Sequence, residues 1–136
     1  VQMALVGAGI GAGGPVPRPF LVEAMADRDG SDAWRVRPAT WRRPVRADTA
    51  ETIGGMMEWA VAQGGIRAAA VPGARVGGKT GTAETGDDRL PHAWFIGYAE
   101  AGDRLLAVAV VLEHGGGGGA VALPVGQTLL EAGLAL

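Results

Sequence analysis

Cysteine is absent from the chain, which excludes disulfides, thiolate metal sites and cysteine nucleophiles. Asparagine is absent too, and serine occurs once, as Ser31. Lysine also occurs once, as Lys79, and arginine supplies the other eleven basic residues. The longest unbroken aliphatic run, Leu105 to Leu112, falls far short of the roughly 20 residues a membrane helix needs. No positively charged stretch precedes an apolar core, so no signal peptide is expected within these residues. Net charge is −2, and the one basic cluster is Arg42-Arg43-Pro44-Val45-Arg46, which argues against nucleic acid as the main partner.

What is present suits a globular unit. Apolar residues make up 48% and charged residues 19% of 136, enough for a sizeable core in one domain or part of one. The opening Val1-Gln2-Met3-Ala4-Leu5-Val6 reads as uncapped helix interior, and we expect the chain to be a piece of a longer protein. Val1 to about Gly11 is apolar nearly all round, as in a buried helix, with Gly11 to Pro15 as its stop. Pro17 and Pro19 lead into the apolar run Phe20-Leu21-Val22. Asp29-Gly30 predicts a hairpin turn, and Trp34 to Val45 predicts one or two exposed strands.

A second helix is expected from Asp48, with Glu51 completing a capping box. Ile53, Met56, Met57, Ala60 and Val61 recur at helical spacing as its buried face, and Gly64-Gly65 ends it. Three strands should follow, over about Arg75–Glu84, Ala93–Ala99 and Leu105–Leu112. Gly102-Asp103 should turn the second into the third, pairing them antiparallel, and the third should be covered on both faces. Gly115 to Gly119 reads as a flexible loop. Val121 to Leu136 reads as a closing helix with Pro124 in its first turn.

The lone lysine lies in Gly77-Gly78-Lys79-Thr80-Gly81-Thr82-Ala83-Glu84. Arginine is a permanently charged planar fork, whereas lysine is a compact ammonium tunable by its surroundings. Gly73 to Thr80 satisfies the phosphate-loop pattern G-x-x-x-x-G-K-[ST] letter for letter, so a nucleotide-binding reading has to be met. That loop must open a helix whose N-terminus holds the phosphates. Gly81 to Pro91 has two glycines, a proline and no apolar stripe, so no helix is expected there.

The rival is K-T-G on a strand, which in serine acyltransferases accompanies S-x-x-K and an S-x-N-type motif. Here K-T-G extends to Lys-Thr-Gly-Thr-Ala-Glu and is followed by His92-Ala93-Trp94-Phe95-Ile96-Gly97-Tyr98-Ala99. An aliphatic strand and then Glu113-His114-Gly115-Gly116-Gly117-Gly118-Gly119 come next. Upstream lie Gln2-Met3-Ala4-Leu5-Val6 and Arg18-Pro19-Phe20-Leu21-Val22. In order and with few gaps, this series resembles the C-terminal half of the transpeptidase domain of class B penicillin-binding proteins.

The resemblance implies a peptidoglycan D,D-transpeptidase, needing no cofactor, that joins stem peptides through a serine acyl-enzyme and is acylated by β-lactams, which mimic D-alanyl-D-alanine. Lys79 would supply charge and hydrogen bonds toward the S-x-N serine and the substrate carboxylate. Thr80 and Thr82 hydroxyls would hold that carboxylate, and the Thr82 backbone N–H would be one oxyanion donor. Gly81 would let the substrate backbone lie against the strand. His92 is expected to be a local hydrogen-bonding residue, and His114 part of a mobile turn. The parent would work on the extracytoplasmic face of the bacterial membrane, held there by an N-terminal anchor that these residues lack.

Ser31 is followed three positions later by Trp34, so S-x-x-K cannot occur in this chain, and without asparagine neither can S-x-N. Residues 1–136 are therefore expected to be a C-terminal fragment of one transpeptidase domain, inactive alone, whose partner is the rest of that domain. The expected fold is α+β, of the penicillin-binding and serine β-lactamase type: an antiparallel sheet over about 75–112, the closing helix on one face and the earlier helices on the other. Apolar surface would be left where the remainder docks, and a homodimer or an exchange of elements would cover it. A carboxypeptidase, a β-lactamase, a β-lactam sensor and a non-catalytic scaffold of the same fold stay open as alternatives. Exposed to benzylpenicillin by itself, the chain should show no covalent adduct by intact mass; a stable stoichiometric adduct would overturn the assignment of its nucleophile to other residues.

Overall fold

The computed structural model describes residues 1–86 and 88–135. Helix α1 (Gln2–Gly11) leads into four short strands, β1 (Val16–Pro17), β2 (Ala24–Ala26), β3 (Asp32–Arg35) and β4 (Thr40–Arg42). Helix α2 (Ala47–Ala62) and a 3-10 turn at Arg67–Ala69 follow. Then come β5 (Arg75–Ala83), β6 (His92–Ala101), β7 (Arg104–Leu112) and α3 (Gly118–Leu134). The main sheet has the order β5-β6-β7, antiparallel throughout, while β1 pairs with β4 and β2 with β3 as separate ribbons.

The three long strands fall where the sequence places them, each within a residue or two. Gly102, at φ +61°, makes the tight turn between β6 and β7 that any Cβ would strain. Side chains alternate across β6, and that alternation organises the layers. Phe95 points to one face, where a Cβ on Gly126 of α3 would lie 2.1 Å from its ring. Tyr98 points to the other, against Gly11 of α1, and its hydroxyl donates to Glu58 of α2 at 2.7 Å. Both rings are fully buried. The closing helix thus covers one face and the two earlier helices the other, as expected. β7 has α1 and α3 as neighbours, but most of it is only half-buried.

The hairpin at Asp29-Gly30 is present: Gly30 takes φ +85° and its N–H donates to the Asp27 carbonyl at 3.0 Å. β4 lies within the 34–45 stretch expected to hold one or two exposed strands, and β3, also exposed, starts two residues before it. The run Phe20-Leu21-Val22 forms no strand, and Leu21 is 99% exposed.

Several expectations are corrected. Helix α1 is not buried all round. Its small residues Gly7 and Gly9 face inward, where the carbonyl of Gly97 and the side chain of Val16 leave no room for more, and Val6 is exposed. Helix α2 starts a residue before Asp48 and has no side-chain cap; Asp48 instead accepts from the Thr49 N–H at 2.7 Å and pairs with Arg46. Its buried stripe is Ala50, Gly54, Met57 and Val61, while Ile53 and Met56 face outward. The stripe rotates because Tyr98 fills the space over Gly54, so the inward positions must be small. In α3 the helix begins at Gly118, which leaves Pro124 in its interior rather than its first turn. Leu136, the expected last residue of that helix, lies outside the described residues.

A network anchors the start of β5. Arg75 pairs with Glu58 of α2 and Glu100 of β6, its guanidinium 5.7 Å from the Tyr98 ring centroid. Hydrogen bonding to Glu100 holds Arg75 above its ordinary pKa. Burial, and after it the Glu58 carboxylate, pushes the Tyr98 phenol far above its usual value.

Two predictions follow from the packing. Gly126→Ala drives a methyl group into Phe95 and should lower the unfolding free energy by about 1–3 kcal/mol in denaturant titrations. Gly55→Ala, with open space around it in α2, should raise it by about 0.5–1 kcal/mol. Tyr98 is the single tyrosine, so phenolate absorbance reads it alone. A raised folded-state pKa gives stability that is full below the unfolded value of about 10 and is lost as pH rises beyond it. The native chain should therefore show no phenolate until alkali unfolds it; a smooth native titration near 10 would contradict the buried network.

Candidate active-site strand

The Lys79-Thr80-Gly81-Thr82 segment lies in β5, at the edge of the main sheet among the described residues. Its register is Lys79↔Ile96, Thr80↔Phe95, Gly81↔Trp94 and Thr82↔Ala93. Directly opposed residues share a face, so Thr80 and Thr82 stand on the α3 side and Lys79 and Gly81 on the other. Lys79 is exposed and its Nζ donates to the carbonyl of Thr80. Thr82 is exposed, and its Oγ1 accepts from the Gly118 N–H at 3.4 Å, a long contact.

A phosphate loop is not what these residues form. Gly73, at φ +75°, makes a turn, and from Arg75 the backbone runs as strand through Lys79 to Ala83, paired with β6 along its length. No helix follows among the described residues before β6. Asp87, within the stretch expected to lack a helix, lies outside them.

The glycines of β5 divide into two kinds. A Cβ on Gly77 would lie 2.5 Å from the Tyr98 ring, and one on Gly78 would lie 3.0 Å from the Phe95 ring. Those two are demanded by packing. A Cβ on Gly81 would meet nothing closer than Trp94 Cβ at 3.4 Å, an ordinary contact, so the fold itself does not require glycine there.

Beyond the strand, sequence reasoning missed a cluster at its C-terminal end. His92 faces Ala83 across the sheet, and its Nδ1 accepts from the His114 N–H at 3.0 Å. The two imidazole centroids are 4.7 Å apart. His114, at φ +51°, has its Nδ1 3.0 Å from the Leu90 carbonyl; a carbonyl only accepts, so this nitrogen carries the proton. The Gly116 N–H donates to the Pro91 carbonyl at 2.9 Å. His92 is the local hydrogen-bonding residue expected of it, but the His114 turn is fastened rather than loose. The only advance signal was that both histidines of the chain sit at ends of strands predicted to pair. Among the described residues, no three histidine and carboxylate side chains gather in a way that could hold a metal ion, and no helix is long and apolar enough to cross a membrane.

Residues 1–131 match the family described as penicillin binding protein transpeptidase domain. The chain is 38% identical over 142 aligned residues to peptidoglycan D,D-transpeptidase PbpA of Mycolicibacterium smegmatis, covering 98% of this chain and 29% of that protein. The ceftriaxone acyl-enzyme complex of penicillin-binding protein A from M. tuberculosis superposes with a TM-score of 0.87 at 35% identity, over 96% of this chain and 31% of that one. The D,D-transpeptidase domain of a peptidoglycan glycosyltransferase from Eggerthella lenta gives 0.82 at 35% identity, over 99% and 32%. The chain thus spans about three tenths of the length of these relatives. It belongs to the penicillin-binding protein transpeptidase domain family.

Proposed function

We propose that the chain supplies the K-T-G wall of the cleft in a peptidoglycan D,D-transpeptidase. The observation that carries this reading is the mounting of Lys79-Thr80-Gly81-Thr82 on an edge strand, with Gly81 free of any packing demand from its own sheet. A glycine kept where the fold does not need it suits the close approach of another backbone. In this reading residues 1–136 are the C-terminal part of one transpeptidase domain, and the nucleophilic serine with its S-x-x-K lysine and the S-x-N motif come from the rest of it. The exposed apolar residues of α1, Val1, Met3 and Val6, are one surface on which that remainder docks.

The serine Oγ attacks the penultimate D-alanine carbonyl, and the terminal D-alanine leaves as a free amine. An amine of a second stem peptide then takes the acyl group, forming the cross-linking amide as the ester bond breaks and the serine hydroxyl is restored. Lys79 sets positive charge beside the S-x-N serine and the substrate carboxylate, and Thr80 and Thr82 hydroxyls donate to that carboxylate. The Thr82 N–H is one of two donors to the developing oxyanion, a contact typically worth about 3–4 kcal/mol of barrier. β-Lactams enter by the same route, and the parent acts on the extracytoplasmic face of the membrane.

The test uses the longest native polypeptide containing this chain. After benzylpenicillin treatment, intact mass should show one adduct, mapping to a serine outside these residues. Lys79→Ala should keep the fold and slow acylation by about 10²-fold or more, the scale on which preorganised polar contacts act. Unaltered acylation of a well-folded Lys79→Ala protein would refute the role of Lys79, and no adduct on the unmutated protein would refute the enzyme.

A further inference from the structure

The run Gly115 to Gly119 reads as low complexity, yet its members are not equivalent. A Cβ on Gly118 would fall 2.3 Å from the Gly81 carbonyl oxygen and 2.4 Å from that of Trp94, while one on Gly115 would fall 2.8 Å from Leu112 Cβ. Gly116 takes φ +89°. Gly117 and Gly119, by contrast, have open space. The N-terminus of α3 is therefore seated directly on the backbone of β5 beside Gly81, and only glycine allows that contact. His92, whose Nδ1 takes the His114 N–H, holds the turn in place together with the carbonyls of Leu90, Pro91 and Leu112.

We propose that His92 is a positioning residue for the Thr82 hydroxyl. It acts through the His114–Gly118 turn and fixes which way that hydroxyl donates. A hydroxyl has one proton and two lone pairs. With the Gly118 N–H directed at Thr82 Oγ1, the hydroxyl must accept on that side, and its own proton turns away from Gly118. A hydroxyl so arranged presents a donor to an anion. The inference rests on the transpeptidase reading, in which that anion is the substrate carboxylate. Loss of the His92 acceptor frees the turn, lets Gly118 withdraw from β5, and allows the Thr82 proton to point elsewhere. His92 itself touches no substrate in this scheme.

The experiment uses the longest native polypeptide and two acylating agents, benzylpenicillin and its methyl ester, which lacks the carboxylate. His92→Ala should slow acylation by benzylpenicillin about tenfold, the scale of one lost hydrogen bond. It should leave the ester's slower reaction nearly unchanged and raise hydrogen exchange at the His114 and Gly116 amides. His92→Asn, whose Oδ1 can accept where Nδ1 did, should restore both. Should His92→Ala fail to fold, His92→Leu, which keeps side-chain bulk without the acceptor, should give the same loss of discrimination between acid and ester, with Gly119→Ala as the neutral comparison. Equal slowing of both agents would overturn the positioning role, as would unchanged discrimination. Unchanged exchange at His114 and Gly116 in a folded His92→Ala protein would overturn the latch. If the unmutated protein forms no adduct, the transpeptidase reading fails, and the exchange measurement still decides whether His92 fastens the turn.

Discussion

Two aromatic rings three residues apart in β6 set the spacing between the main sheet and the helices on its two faces. Phe95 and Tyr98 lie on opposite faces of the sheet, both fully buried, and each is received by glycine on its neighbours. Phe95 takes the space of absent side chains at Gly78 and Gly126; Tyr98 takes that at Gly77 and Gly11. Glycine in a strand or helix interior costs roughly 0.5–1 kcal/mol against alanine. Burying a whole aromatic ring returns more, about 1.5–3 kcal/mol for a phenylalanine, before any contact specific to the ring. The exchange is favourable only while the rings fit, which is why the four glycine positions tolerate so little change.

The same constraint divides the chain into unequal parts. From α2 onward the elements share the core built on Phe95, with Val61, Val76, Leu123 and Leu130 around it. Between residues 17 and 46 no residue is buried. That layer holds together by short ladders and by surface ion pairs such as Arg35 with Glu23 and Asp32. Exposed pairs of this kind contribute little. Seven of the eleven arginines fall in that stretch against four acids, so its charges do not balance internally either. It is the part whose order depends most on what it rests against, and local stability should be lowest there.

How much of this could be read in advance varied with the kind of signal. β6 and β7 were legible because aromatic and β-branched residues cluster between Pro91 and the Gly102-Asp103 turn, and aliphatic residues run from Leu105 to Leu112. The hairpin at Asp29-Gly30 was legible because its turn needs φ > 0 and the sequence supplies glycine there. The inward face of α2 was misread because pattern reasoning looks for large apolar residues, and here the inward positions are Ala50 and Gly54 under a ring that arrives from 44 residues away. The start of α3 was misread for a related reason: glycine lowers helix propensity, yet contact with β5 admits nothing larger at 118. The His92–His114 contact was only faintly legible, from two histidines at strand ends expected to pair, since it exists only once the register of β6 on β7 is fixed.

Four glycines close to or within the K-T-G segment therefore do different work, and composition alone cannot distinguish them. Gly77 and Gly78 clamp β5 onto the rings of β6 immediately before Lys79, and Gly118 seats the N-terminus of α3 on the backbone at Gly81. At Gly81 only the face on which a Cβ would project is unclaimed by packing. The strand is thus held from the α3 side at the point where its other face is left open. Binding to a surface fixed in advance avoids the ordering cost that a loop would pay at the moment of contact. A motif whose proposed task is to hold a carboxylate and an oxyanion at fixed distance depends on that rigidity as much as on its lysine and threonines, because a donor displaced by even about 1 Å loses most of its effect on the barrier.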